Sequence, residues 1–283
     1  MKEIDDIEIN LLIDAVYQRY GYDFRHYAAP SIIRRLNNYL SASGFTYISE
    51  IIPGLIRDES LFESFINAMS VSVTEMFRDP YVYREFRETI VEKLASFPRL
   101  NIWHAGCSTG EEVYSFAILL KEEGLYDRAT IYATDFDSIS LDKAREGIYP
   151  VENIRLGTEN YRNSGGKQAF SDYYHSRYGK AIINNSLKEK IIFSSHNLAS
   201  DGVFNQMHLI VCRNVLIYFN KALQNHVLKL FSNSLVHNGV LISGNKEDLM
   251  FSEVSSHFEV LGKKQKIYRK KGVFDALYSG TEL

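Results

Sequence analysis

From residue 100 onward the chain alternates short apolar runs with amphipathic stretches, and that alternation constrains its fold more than any other feature. Leu100 to Ala105, Thr130 to Thr134, Lys190 to Phe193, His208 to Cys212 and Val240 to Ser243 are strand-length apolar runs. Glu111 to Lys121 follows the first run, with Val113, Phe116, Ala117 and Leu120 on one helical face. Ser140 to Glu146 follows the second, and a stripe of Leu223, Val227, Leu230 and Phe231 separates the last two. Strands and helices alternating at this spacing predict an α/β fold with a parallel sheet covered on both faces. Phe258 to Leu261 and Lys266 to Arg269 predict a closing hairpin across Gly262 to Gln265.

The first 70 or so residues follow a different period. Ile4, Ile7, Leu11 and Ala15 recur at helical spacing, as do Ile32, Leu36 and Leu40, then Phe62, Phe65, Ile66 and Met69. Pro30-Ser31 and Ser41 to Gly44 mark breaks between them. Each stripe needs a partner, so these segments predict a small all-helical domain. The expected division is 1–75 for the helical domain and 76–283 for the sheet domain. Tyr149 to Lys190 fits neither rhythm: it is polar, rich in Tyr, Asn and Ser, and too long for a simple connection. It reads as an insertion, at about 150–190, with structure of its own.

Composition narrows the class. A hydrophobic fraction of 45% in 283 residues is enough for a real core. The N-terminus lacks the basic-then-apolar pattern of a signal peptide, and no apolar run is long enough for a membrane span. Cys107 and Cys212 are the two cysteines, without metal-ligand spacing. A disulfide framework or metal cluster is therefore not expected, and a reducing cytoplasm is. The net charge of −3 speaks against a general nucleic-acid binder.

Ligands of open α/β sheets bind beyond the carboxyl ends of the strands. Ala105-Gly-Cys-Ser-Thr-Gly-Glu-Glu112 falls there, between a strand and a helix, and Gly106 and Gly110 permit a tight turn and close backbone approach. Asp135 ends the next strand, where a carboxylate can accept hydrogen bonds from ribose hydroxyls. Structural alternatives exist for both: Thr109-x-x-Glu112 is also a capping box, and Asp135 could cap the following helix. The Gly-x-Gly-x-x-Gly pattern for a pyrophosphate is absent, since its second glycine falls at Ser108, which disfavours a nicotinamide or flavin cofactor.

Several stretches, in order, resemble the chemotaxis receptor methyltransferase (CheR-type) family. They are Ser70 to Arg78, Ala105 to Glu112, Ala133 to Asp137 with Ala144 to Tyr149, Phe193 to Leu198, Cys212-Arg-Asn-Val-Leu-Ile-Tyr-Phe219 and Gly239 to Asn245. The likeness spans roughly residues 5 to 270. It implies a Rossmann-like methyltransferase sheet, dependent on S-adenosylmethionine, with an N-terminal all-helical domain and a small β-insertion. The implied reaction esterifies glutamate side chains of a chemoreceptor or receptor-like protein and leaves S-adenosylhomocysteine. A non-catalytic module that senses the cofactor or its product is the rival reading, disfavoured by retention of Arg78 and Tyr218.

The resemblance also implies residue roles. Ser72, Thr74 and Arg78 lie on a segment reaching over the cofactor, where Arg78 would meet the methionine carboxylate or the incoming glutamate. The structural alternative for Arg78 is a salt bridge joining the domains. Gly106 and Glu112 would approach the methionine end and Asp135 the ribose. Asn197 and Leu198 would frame the adenine, Arg213 and Asn214 would line the methionine side, and Tyr218 would stand near the transferred methyl. For Tyr218 the alternative is a core aromatic on a helix turn. Family members commonly carry Asn where this chain has Ser72, so that contact is weakened. Ile32 to Leu40 retains Arg34 and Arg35 as its charges, so steering toward an acidic receptor helix bundle should be weaker. The insertion is short between its candidate strands, which predicts recognition of the substrate without a tethering pentapeptide; a monomer is expected. No Asn-Pro-Pro-Tyr motif of amino-methylating enzymes is present. The tail beyond Lys271, with Phe274, Leu277 and Tyr278, is expected to be a mobile end.

Overall fold

A computed structural model describes residues 4–69, 74–262 and 264–272, so the tail from 273 and the segment 70–73 lie outside the described residues. The chain forms two compact units, Met1–Val71 with Ile217–His226, and Ser72–Leu216 with Val227–Leu283.

The smaller unit is helical. Its helices are α1 (Ile4–Tyr20), α2 (Ala29–Ser43), α3 (Ile48–Arg57) and α4 (Glu59–Met69). On α1 the buried residues are Leu12, Ile13 and Val16, whereas Ile4 is 74%, Ile7 48% and Leu11 56% exposed. The expected stripe is therefore the outer one. The sequence offers two stripes at helical spacing, and the one running from Leu12 to Tyr20 gains a partner: Tyr20 stacks on Phe62 at 3.6 Å and its hydroxyl donates to the Leu55 carbonyl. Pro30 sits in the first turn of α2, where no backbone N–H is needed, and Gly44 ends that helix in the left-handed region (φ 77°). Ser41 to Ser43 thus belong to the helix, and the break is Gly44. Helix α3 carries Pro53 inside it and is defined by the burial of Ile48, Ile51 and Leu55. On α4 the burial of Phe62, Phe65, Ile66 and Met69 is as expected. The segment 217–226 joins this unit through backbone bonds: the Ala28 N–H donates to the Tyr218 carbonyl and the Asn220 N–H to that of His26.

The larger unit begins with α5 (Pro80–Thr89) and α6 (Val91–Ala95) and is built on a seven-stranded sheet. Its strands are β1 (Leu100–Ala105), β2 (Ala129–Asp135), β6 (Ile191–Ser195), β7 (Met207–Cys212), β8 (Leu235–Ser243), β9 (Phe258–Val260) and β10 (Ile267–Lys270). They lie in the order β6-β2-β1-β7-β8-β10-β9. Pairings β6–β2, β2–β1, β1–β7 and β7–β8 are parallel, while β10 runs antiparallel to both β8 and β9. This is the expected Rossmann-like arrangement with its closing hairpin. Strand order turns back at β1, between β2 and β7, which makes the carboxyl ends of these three strands the place for a ligand.

Helix α7 (Glu111–Glu122) follows β1, and α8 (Ser138–Glu146) follows β2. The one-sided stripe expected for α7 understates its burial, because every residue from Val113 to Leu120 is buried. The sheet covers one face, and Phe116 meets Tyr83 and Phe86 of α5 on another, at 4.9 and 5.5 Å between ring centroids. The insertion contains β3 (Ile148–Pro150), β4 (Tyr174–Arg177) and β5 (Lys180–Ile183), an antiparallel sheet in the order β3-β5-β4, plus an unforeseen helix α9 (Val151–Asn163). Strands β4 and β5 are joined by Tyr178 and Gly179, both at positive φ, the geometry of a two-residue hairpin turn. Buried Glu122 of α7 anchors the insertion, accepting hydrogen bonds from the hydroxyls of Tyr161 and Tyr173 and pairing with Arg87. Helix α10 (Lys221–Ser234) precedes β8. No helix among the described residues is long and apolar enough to cross a membrane.

The two faces of α1 predict contrasting costs. Leu12→Ala should destabilise the helical unit by about 2–5 kcal/mol, as for other buried leucines. Leu11→Ala should stay within about 0.5 kcal/mol. Denaturant unfolding of both variants measures the difference, and equal losses would mean that the apolar stripe of Leu11 is packed after all.

Candidate functional site

The turn between β1 and α7 is held open by left-handed residues: Gly106 (φ 75°), Ser108 (φ 49°) and Gly110 (φ 92°). A Cβ on Gly106 would come within 2.5 Å of the Val215 side chain, and one on Gly110 within 2.9 Å of Ala144. Glycine is thus required sterically at both places. The N–H groups of Gly106 and Cys107 donate to the Thr134 carbonyl at 2.8 and 2.9 Å, which ties the turn to the end of β2. The next N–H, from Ser108, donates to Oδ2 of Asp135 at 2.8 Å.

Asp135 does not cap the helix after it. Asp137 does, accepting from the Ile139 N–H at 3.0 Å and the Ser140 hydroxyl at 2.7 Å. Asp135 Oδ1 accepts the Asp137 N–H at 3.0 Å, and its residue is 8% exposed. Burial pushes its pKa up to about 6, against the lowering effect of the Asp137 and Ser108 N–H groups. A buried, twice-anchored carboxylate at the end of β2 suits a donor such as a sugar hydroxyl.

The capping box across Thr109 and Glu112 does not form either. Gly110 is the N-cap residue and supplies no side chain, and the Thr109 hydroxyl donates to Glu111 at 2.6 Å. Glu111 is buried, and burial pushes its pKa up to about 7, with the Thr109 hydroxyl opposing. Glu112 instead joins an ion-pair network. Arg213, just beyond β7, donates from Nη1 to Glu112 Oε2 at 2.6 Å and to the Arg78 carbonyl at 3.2 Å. Its Nη2 donates to Asp79 Oδ2 at 2.7 Å. The Arg213 side chain is 1% exposed. Burial alone would raise the Glu112 pKa, but the Arg213 charge, helped by His104, brings it below the usual value. For Arg213 burial is opposed by the Glu112 and Asp79 charges, and the guanidinium ends above its ordinary pKa.

The segment carrying Arg78 bends sharply. Phe77 and Asp79 both have φ of 55°, and the Phe77 N–H donates to the Ser115 hydroxyl of α7. Asn214 is also left-handed (φ 61°), and its N–H donates to buried Glu247 at 3.0 Å, as does that of Gly244. Strained non-glycine residues thus gather at the ends of β1 and β7, as they do at functional sites. On the other side of β2, the Asn197 side-chain carbonyl accepts the Ala199 N–H at 3.0 Å, and Leu198 is buried. His196 and Phe204 pack edge-on against Trp103, at 5.2 and 5.0 Å.

Of the residues expected at the site, Gly106, Glu112, Asp135, Asn197, Leu198, Arg213 and Asn214 lie at or just after the carboxyl ends of β1, β2, β6 and β7, or in the first turn of α7. Arg78 is tied to Arg213 through its carbonyl. Thr74 is half-buried at the start of the described segment, and Ser72 lies outside the described residues. Tyr218 belongs to the helical unit. It is half-buried in a short 3₁₀ turn, and the Arg35 guanidinium lies 4.4 Å over its ring. Sequence reasoning missed Asp79, Glu247 and Arg35. Asp79 precedes Pro80, a helix-start signal that masks its ion pair, and Glu247 sits in a loop with no period to mark it. Arg35 has the look of a surface charge in the sequence, yet it is buried, with Nε and Nη2 lacking hydrogen-bond partners.

Residues 72–267 match the family model of the CheR methyltransferase SAM-binding domain, and residues 7–70 match that of the CheR all-alpha domain. The chain belongs to the CheR methyltransferase family. It is 47% identical over 265 residues to the Cher3 protein of Pseudomonas putida, covering 94% of this chain and 97% of that one. Identity to chemotaxis protein methyltransferase 2 of Pseudomonas aeruginosa is 30%, covering 84% of this chain and 85% of that one. With the chemotaxis protein methyltransferase of Salmonella typhimurium it is 28%, covering 92% and 89%. Among solved structures, SAM-bound CalS10 from Micromonospora echinaspora aligns over 57% of this chain and 50% of that one, with 12% identity and a TM-score of 0.33. Membership makes this chain an S-adenosylmethionine-dependent methyltransferase, and the helical, sheet and insertion elements expected of the CheR family are those observed.

Glu111 gives the site a pH signature. Its folded pKa of about 7 stands above the ordinary 4.5, so its ionisation costs stability as pH rises through that window. Glu111→Gln cannot ionise. The melting temperature of the variant, relative to wild type and without cofactor, should therefore climb between about pH 5 and pH 8. A constant difference would mean that Glu111 ionises without penalty.

Proposed function

We propose that the protein transfers the methyl group of S-adenosylmethionine to glutamate side-chain carboxylates of a chemoreceptor or receptor-like protein in the cytoplasm, giving methyl esters. The observation that carries this is the pair of anchored carboxylates at the sheet edge: Asp135 held by the Ser108 and Asp137 N–H groups, and Glu112 held by Arg213. They fit the donor groups of the cofactor. Asp135 would accept from the ribose hydroxyls, and Glu112 would hold the ammonium of the methionine end. The Ser108 hydroxyl, buried and without a hydrogen-bond partner, adds a polar atom in the turn that precedes Glu112. Leu198 would pack on the adenine, with the Asn197 amide donating to it. Gly106 would allow close backbone approach, Asn214 would line the methionine side, and Thr74 would approach from the segment before α5.

Bound there, the cofactor supplies an electrophilic methyl group on a sulfonium centre. The acceptor needs no base, because a glutamate side chain with a pKa of about 4.3 is already ionised at neutral pH. The residues align and desolvate. Alignment of this kind contributes up to roughly 7–11 kcal/mol in favourable cases. Arg78 would orient a carboxylate, either the methionine's or the acceptor's, through its guanidinium fork. Tyr218, whose ring is stacked by Arg35, would stand near the transferred methyl. The two-residue turn between β4 and β5 supports binding of the receptor without a tethering pentapeptide.

Radiolabelled cofactor and a receptor cytoplasmic fragment test the reaction. The label should appear on glutamate and be lost in mild alkali, and alkali-stable label on another residue type would overturn the proposal. Asp135→Ala should weaken binding of S-adenosylhomocysteine at least tenfold, with its melting temperature little changed. Unaltered calorimetric affinity would remove Asp135 from the site. Arg78→Ala should cut turnover at least a hundredfold in a folded protein, and near-normal turnover would leave Arg78 a structural role.

A further inference from the structure

His104, the last but one residue of β1, is 1% exposed and edge-on to Phe116 at 5.1 Å. Neither Nδ1 nor Nε2 has a hydrogen-bond partner. Burying polar atoms unpaired is unfavourable, and such atoms in a native core call for an explanation. Packing gives none, since a phenylalanine would fill an aromatic slot against Phe116 without that penalty. The polar atom facing Nδ1 is Glu112 Oε1, at 3.8 Å. That is the oxygen Arg213 does not hold, because Arg213 takes Oε2. Tyr83, fully buried with its hydroxyl unpaired, sits in the field of the same Glu112, Arg213 and Asp79 charges.

We infer that His104 is a positioning residue for cofactor binding: it and Arg213 hold the Glu112 carboxylate from its two oxygens and so fix the direction in which it meets the cofactor's ammonium. The inference rests on the role proposed for Glu112. A glutamate gripped at one oxygen still turns about its terminal torsion, which is soft. A donor at the second oxygen removes that freedom. The separation of 3.8 Å is too long for a hydrogen bond, and contacts of this kind tighten when the ligand arrives. A proton on Nδ1 supplies the donor that this contact needs.

Calorimetric binding of S-adenosylhomocysteine and of 5′-methylthioadenosine, which lacks the amino-acid portion, tests this. His104→Phe should weaken S-adenosylhomocysteine at least fivefold and leave 5′-methylthioadenosine within twofold. His104→Asn, whose amide nitrogen replaces Nδ1, should restore affinity, while His104→Gln, which mimics Nε2, should not. On a Glu112→Gln background His104→Phe should add little, as coupled residues do. If Glu112→Gln itself leaves S-adenosylhomocysteine binding unchanged, the role proposed for Glu112 is wrong. If Glu112→Gln weakens binding and His104→Phe does not, or if both ligands weaken equally, His104 is not a positioning residue. Should His104→Phe fail to fold, the Asn and Gln variants carry the test alone, and equal affinities for the two would overturn the inference.

Discussion

The buried guanidinium of Arg213 is the interaction on which the site depends. It reaches the first turn of α7 through Glu112, the turn before α5 through Asp79, and the backbone of Arg78 itself. Two chain segments far apart in sequence, residues 78–79 and the start of α7, are thereby fixed to the end of β7 around one charge. A guanidinium is suited to this because its donors fan out in a rigid plane and it stays charged when buried. An unpaired charge there would be strongly unfavourable, so the network holds together as a whole or not at all.

The fold delivers these groups through the sheet. Because β1, β2 and β7 run parallel and adjacent, their carboxyl ends open side by side, and the loops leaving them must share a small space. The turn after β1 meets that demand with left-handed residues and with N–H groups given to Thr134 and Asp135. The result is a concentration of buried carboxylates. Asp135 and Glu111 are pushed toward their protonated forms by desolvation, whereas Glu112 is kept ionised by Arg213. Neighbours in one motif therefore carry different charges at the same pH, for reasons of environment alone.

Much of this is legible in the sequence where a period or a turn signal is strong. The central strands between Leu100 and Ser243 are readable because burial on both faces leaves unbroken apolar runs, and the stripe on α4 because burial on one face leaves a fixed spacing. The turn glycines and Asp135 are readable because few residue types meet their steric and electrostatic demands. Helix α1 misleads as to its buried face, since two stripes fit one helical period and only packing chooses between them. Helix α9 escapes because its sequence is polar, and α3 because it contains Pro53.

The sequence by itself determined the parallel sheet, the place of a ligand at its carboxyl edge, and a family likeness strong enough to name the cofactor. The tertiary structure alone decided what each polar side chain does there. It turned Asp135 away from the helix cap, took Glu112 out of a capping box into the grip of Arg213, buried Arg35 against Tyr218, and set His104 beside Glu112. The reason is physical: hydrophobic period is a local property written every few residues, whereas the partner of a buried charge is chosen by whichever distant segment the fold brings within a few ångströms.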